Sequence, residues 1–165
     1  MKRDGKYLKS IVYGGLDGII TTFAIVAGVA GASLSSSIVM ILGFANLIAD
    51  GFSMAVGDYL STKAELEISK SKKSPIKNGV VTFLSFIIFG LIPLLSYLAD
   101  FAFEIKFNVF LISILLTIFA LFLLGIAKYK ITGKHWVISS IETVLIGGVA
   151  AAIAYFVGYL VSAIV

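Results

Sequence analysis

The chain has 165 residues, 59% of them hydrophobic and 13% charged, with a net charge of +4 and a mean hydropathy of +1.07. Soluble domains carry about 45–50% apolar and about 25% charged residues, so a water-soluble fold is excluded and the class is an all-α integral membrane protein. The absence of cysteine excludes disulfides, thiolate metal sites and cysteine catalysis.

Five stretches reach the ~20 residues needed to cross ~30 Å of hydrocarbon: residues 11–32, 36–61, 78–98, 107–127 and 137–164. The connections between them, 33–35, 62–77, 99–106 and 128–136, are too short to hold a further domain, so residues 1–165 form one transmembrane unit. With five spans, one side collects Lys2, Arg3, Lys6, Lys9, Lys63, Lys70, Lys72, Lys73, Lys77, Lys128, Lys130 and Lys134. The other side has Lys106 alone. Lys and Arg in short connections stay cytoplasmic, which predicts a cytoplasmic amino terminus and an outward carboxyl terminus. The positive balance is therefore a topology signal and not a nucleic-acid footprint.

The first span follows a basic segment and ends at Ala30-Gly31-Ala32, which resembles a signal-peptide cleavage site. Its length and its internal Asp17 argue for a retained helix. Asp17 is surrounded by Gly14, Gly15 and Gly18, so another backbone or an ion can come close, and Thr21 lies one turn further on the same face. The second span carries Asn46, Asp50, Ser53, Met54, Gly57 and Ser61 at helical spacing, with Asp58 nearby. A carboxylate near the bilayer centre costs about 2.5–3.5 kcal/mol on insertion scales, so such groups face an interior and serve a purpose.

The third and fourth spans, rich in Leu, Ile and Phe and uncharged at their centres, are expected to face lipid. Pro93 predicts a kink in the third. The fifth has Glu142 about one turn from its start, followed by Gly147, Gly148, Gly158 and several alanines. Small residues in the first, second and fifth spans permit close helix approach. Packing within one protomer and a subunit interface are both open for any single motif, and their abundance favours an oligomer.

Each acid has a plainer alternative. Asp58 and Glu142 are shallow enough to pair with Lys63, Lys128, Lys130 or Lys134. Asp50 could be a protonated acid held by Ser or Asn. Met54 is either core filling or a soft ligand for a transition metal. His135, beside Trp136, reads as an interfacial residue. No phosphate loop, dinucleotide fingerprint or Ser-His-Asp arrangement is present, so no enzymatic role is expected. Burial disfavours the ionised carboxyl, and an arriving dication favours it and expels the proton. One carboxylate set holding protons or metal in turn suffices for exchange.

The stretches Asp17-Gly-Ile-Ile-Thr-Thr-Phe-Ala-Ile-Val-Ala-Gly28 and Asn46-Leu-Ile-Ala-Asp-Gly-Phe-Ser-Met-Ala-Val-Gly-Asp-Tyr-Leu-Ser-Thr-Lys-Ala-Glu65 resemble the first two helices of the vacuolar iron transporter family. Gly147-Gly-Val-Ala-Ala-Ala-Ile-Ala-Tyr155 with Gly158 is similar to its fifth. The resemblance implies a five-helix protomer, a homodimer in membrane lipid, and exchange of cytosolic Fe²⁺ or Mn²⁺ for protons, with the metal as cargo and no permanent cofactor. It implies a path along the dimer interface, lined by the first two helices, with metal at Asp17, Asn46, Asp50 and Met54. Asn46 stands where the family often has Glu, and Asp50 one turn later compensates. Thr21, Asp58 and Glu142 are the expected path-lining or proton-coupling residues. The long metal-collecting insertion of well-known members is replaced here by the Lys-rich residues 62–77, read as a loop, leaving Glu65 and Glu67 as the cytoplasmic mouth. A short chain of this kind fits a prokaryotic plasma membrane. The rival expectations are a non-transporting scaffold or partner subunit, and a passive cation channel.

Overall fold

The computed structural model describes residues 7–69, 73–133 and 135–164. Every regular element among them is helical: α1 (Leu8–Gly31), α2 (Ser36–Ile68), α3 (Pro75–Gly90), a short 3-10 turn (Ile92–Leu94), α4 (Leu95–Phe103), α5 (Val109–Thr132) and α6 (Trp136–Ser162). α3, the turn and α4 form one span, Pro75–Phe103, so five segments are long and apolar enough to cross a membrane. This is a multi-pass membrane protein. Residues 1–6, Lys70, Lys72 and Lys134, which enter the orientation argument, lie outside the described residues, as does the side chain of Lys130.

α1 is an integral part of the bundle, with half of its residues buried. The third span breaks where Pro93 removes a backbone donor. Ser113 Oγ of α5 donates to the Pro93 carbonyl at 2.7 Å, so a neighbouring helix satisfies the irregular backbone.

Two expectations are corrected. The stretch 62–77 is not all loop, because α2 continues to Ile68. Lys63, Ala64, Glu65, Leu66 and Glu67 are all good helix formers, and extending a formed helix adds one hydrogen bond per residue. The third span does not face lipid either: 44% of its apolar stretch is buried, against 6% for the fifth. Gly14 and Gly18 of α1 lie against the backbone of Thr82 and Phe86, and a Cβ at Gly14 would stand 2.5 Å from the Thr82 carbonyl oxygen. On its other side α3 meets α2, with Gly79 on the Ala55 carbonyl and Gly51 on the Phe86 ring. Leu, Ile and Phe suit lipid and a helix interface equally, so composition could not separate the two.

The small-residue motifs of α1 therefore serve the protomer's own packing. Gly31 meets the backbone of Tyr155, and Gly158 of α6 meets the backbone of Gly28. α5 buries Ala120, Leu121 and Leu124 against Ile19 and exposes Leu111, Leu115, Phe119 and Leu123. The outer faces of α2 and α6 are also apolar and exposed, with Ile41, Ile48 and Phe52 on one and Leu145, Val149 and Phe156 on the other. Contacts of Asp58 with Ser10 and Thr82 and of Lys128 with Glu142 bring the starts of α1, α3 and α6 beside the ends of α2 and α5. This is the end to which the basic connections belong.

Candidate functional site

α1 and α2 run antiparallel and present polar residues four positions apart: Lys9, Tyr13, Asp17 and Thr21 on α1, and Asn46, Asp50, Met54 and Asp58 on α2. A step of four keeps side chains on one helix face, and the two rows meet. Asn46 Nδ2 donates to Thr21 Oγ1 at 3.3 Å and to Thr22 Oγ1 at 3.4 Å. The Thr21 hydroxyl donates to the Asp17 carbonyl at 2.8 Å. One turn toward the basic end, Asp17 follows Thr21 on the α1 stripe and Asp50 follows Asn46 on the α2 stripe, and both are half-buried. Beyond them lies a cavity of about 480 Å³, walled by Lys9, Tyr13, Asp50, Ser53, Met54, Gly57, Asp58 and Ser61. Ser53, Gly57 and Ser61 are exposed, so the groove opens on the outer surface of the protomer.

A second cavity, about 530 Å³, lies between α1, α5 and α6. Its walls include Phe23, Phe110, Leu121 and Val144, and Thr117 and Tyr155 are its only polar side chains. It offers a cation almost no donors. The α1–α2 groove has the carboxylate of Asp50 and the thioether of Met54 on its wall, while Asp17 and the Asn46 amide lie on the same two stripes without lining it. Met54 packs on the core around Phe86 and Leu47 and also lines the groove. Among the described residues no three His, Cys, Asp or Glu side chains come together as a metal site.

Asp58 sits at the groove's basic end but is held differently. It accepts hydrogen bonds from Ser10 Oγ of α1 at 2.8 Å, from Thr82 Oγ1 of α3, and from Thr62 Oγ1 at 3.5 Å. Asn78 Nδ2 of α3 donates in turn to Thr62 Oγ1 at 3.0 Å. Glu142 stands apart from the groove and takes the ion-pair alternative, bonding Lys128 at 3.2 Å between α6 and α5. Glu65 pairs with Lys73 at 2.8 Å, Glu67 is exposed, and both ride on the end of α2. His135 is exposed at the start of α6 and stacks on Trp136, with ring centroids 6.0 Å apart.

Sequence reasoning missed Lys9, Tyr13, Ser10, Thr62, Asn78 and Thr82. Stepping back by fours from Asp17 finds the first two. Asn78 and Thr82, four apart in an otherwise apolar span, are the visible sign of the Asp58 cluster.

A family model described as the VIT family matches residues 8–74 and 63–159. The chain is 30% identical to a vacuolar iron transporter of Toxoplasma gondii, over 96% of this chain and 76% of that protein. It is 26% identical to the vacuolar iron transporter of Plasmodium falciparum (94% and 82%) and to vacuolar iron transporter 1 of Arabidopsis thaliana (92% and 84%). The Toxoplasma alignment runs over 228 positions, so that relative carries residues this chain lacks. The two matched segments of the family model overlap at residues 63–74, the end of α2 and the connection that follows it.

Proposed function

The chain belongs to the VIT family, and on that footing we propose that it exports a divalent transition metal, Fe²⁺ or Mn²⁺, from the cytoplasm in exchange for protons. The observation that carries this reading is the Asn46–Thr21 hydrogen bond, which sets Asp17 and Asp50, each one turn further along its helix, on facing stripes beside Met54. Two like charges in a poorly hydrated place hold together only around a shared proton or a cation. A dication entering between them displaces the proton, and a proton returning releases the metal. Met54 adds a soft donor, which favours a transition metal over Mg²⁺ or Ca²⁺.

The open side of the groove argues for a second copy. Left facing lipid, its carboxylates would bear the cost of charge in hydrocarbon. A homodimer closing over α1 and α2 shields them and contributes a second ligand set. Metal enters at the basic end, past Lys9, with Glu67 and the Lys73-bound Glu65 at the mouth. The Lys distribution supports a cytoplasmic position for this end, in a cell membrane.

In proteoliposomes with an imposed proton gradient, Mn²⁺ flux is expected to follow the gradient and to vanish in Asp17→Ala. Flux indifferent to the gradient would make the protein a passive channel. Flux undisturbed by Asp17→Ala would remove the path from α1 altogether.

A further inference from the structure

Among the described residues, Asp58 is the acid whose carboxylate is enclosed by hydroxyls from three helices. The surrounding side chains are buried deeply for polar groups in a membrane bundle: Ser10 is 4% exposed, Thr62 3%, Asn78 5% and Thr82 0%. Ser10 and Thr82 both donate to Oδ2, while Thr62 reaches Oδ1 at 3.5 Å, long for an O–H···O bond. Thr62 is fed by Asn78 Nδ2. Asn78 Oδ1 is left buried without a partner, an arrangement native structures rarely tolerate without a reason.

The network consists of donors aimed at an anion, with one spare acceptor at its edge. A protonated carboxyl is itself a donor. With one proton on Asp58 Oδ1, the carboxyl donates to Thr62 Oγ1. The Thr62 hydroxyl then turns to Asn78 Oδ1 once the amide has rotated. One proton is gained and no other atom is transferred: the chain of hydrogen bonds reverses direction, Asn78 Oδ1 gaining a donor as Nδ2 gives up its acceptor. Two direct hydrogen bonds occupy Oδ2, and the cluster has no soft donor. A hydrogen ion fits where a metal does not.

We propose that Asp58 is a proton-binding site separate from the Asp17–Asp50 metal pair, and that the Ser10, Thr62, Thr82 and Asn78 network passes its occupancy to α1, α2 and α3 together. This deepens the exchange reading and rests on it. The site is reached through the groove, whose wall Asp58 shares with Lys9 and Tyr13 of α1 and Asp50 of α2. α3 turns only the uncharged Asn78 and Thr82 toward it, and Lys77 is exposed. Lys9 is the fixed charge that balances the anion when the proton leaves.

The test compares Mn²⁺ flux in proteoliposomes with and without an imposed proton gradient. In folded Asp58→Asn the stimulation by the gradient is expected to fall about fivefold or more, the lower end of ordinary coupling strengths, while some flux down the metal's own gradient persists. Asn78→Leu is expected to weaken the stimulation in the same direction. A coupled wild type with an equally coupled Asp58→Asn overturns the proton site and leaves the exchange reading standing. A wild type indifferent to the gradient overturns the exchange reading, and this site with it. Should Asp58→Asn not fold, Thr62→Val keeps the carboxylate and removes the relay. Its flux is expected to show a displaced pH profile, and an unchanged profile overturns the proposal.

Discussion

Asn46 of α2 donates to Thr21 of α1 across the helix seam at 3.3 Å, which leaves Asp50 and Asp17 one turn further along on the two facing stripes. Each carboxylate is held there by a different helix, so neither can replace the other. Asp17→Asn and Asp50→Asn are each expected to lower Mn²⁺ flux by more than about tenfold, since even groups that only orient a ligand cost that much when removed. A metal-quenched fluorophore trapped in liposomes reads the loss directly. A variant retaining most of its flux would show that the pair is not the binding site.

Met54 lines the groove and also packs on the core. Met54→Leu conserves volume and is expected to cost less than about 1.5 kcal/mol of stability. Its effect should fall on selectivity: the advantage of Fe²⁺ over Mg²⁺ in competition assays shrinks once the thioether is gone. Unchanged competition would assign Met54 to packing alone.

Lys9 is the basic residue of the groove wall, a tethered cation on the route of a dication. Lys9→Gln is expected to raise apparent affinity for Mn²⁺ by about two- to fivefold at low ionic strength, with the gain fading as salt screens the charge. Initial rates at low metal concentration, measured at two ionic strengths, test both parts. Lys9→Arg should behave as wild type.

The glycines separate packing inside the protomer from packing outside it. Gly18 abuts the Phe86 backbone, whereas nothing lies within 4 Å of a Cβ at Gly57. Gly18→Val is expected to lower stability by about 1–3 kcal/mol through overpacking, read by thermal unfolding in detergent. Gly57→Trp should leave the protomer folded but prevent a second copy from closing over the groove. Size-exclusion chromatography with light scattering would then report a monomer, and a dimer of undiminished stability would place the interface elsewhere.

The spans and the α2 stripe were legible in the sequence because helical periodicity and hydropathy are local properties. Asp17, Asp50 and Met54 stood out because polar groups are rare in such segments. The place of the third span was not legible, since its side chains suit lipid and helix interfaces alike. Only the glycines opposite it decide the matter, and they sit on another helix. The Asp58 cluster was hidden for a similar reason. Ser10, Thr62 and Thr82 are small polar residues that helices often accommodate by bonding their own backbone, and only the assembled fold turns all three onto one carboxylate. Glu142 shows the converse: a lysine-rich neighbourhood offered an ion pair beforehand, and the pair with Lys128 is what forms.

Phe86 has no exposed surface and touches both walls of the groove from behind, its backbone under Gly18 and its ring against Gly51. It works as a spacer gauge. Trimming or enlarging that ring would alter the gap between the two helices, and so the diameter of ion that passes most easily. Preference for one cargo over another could therefore drift through a residue that never meets the cargo.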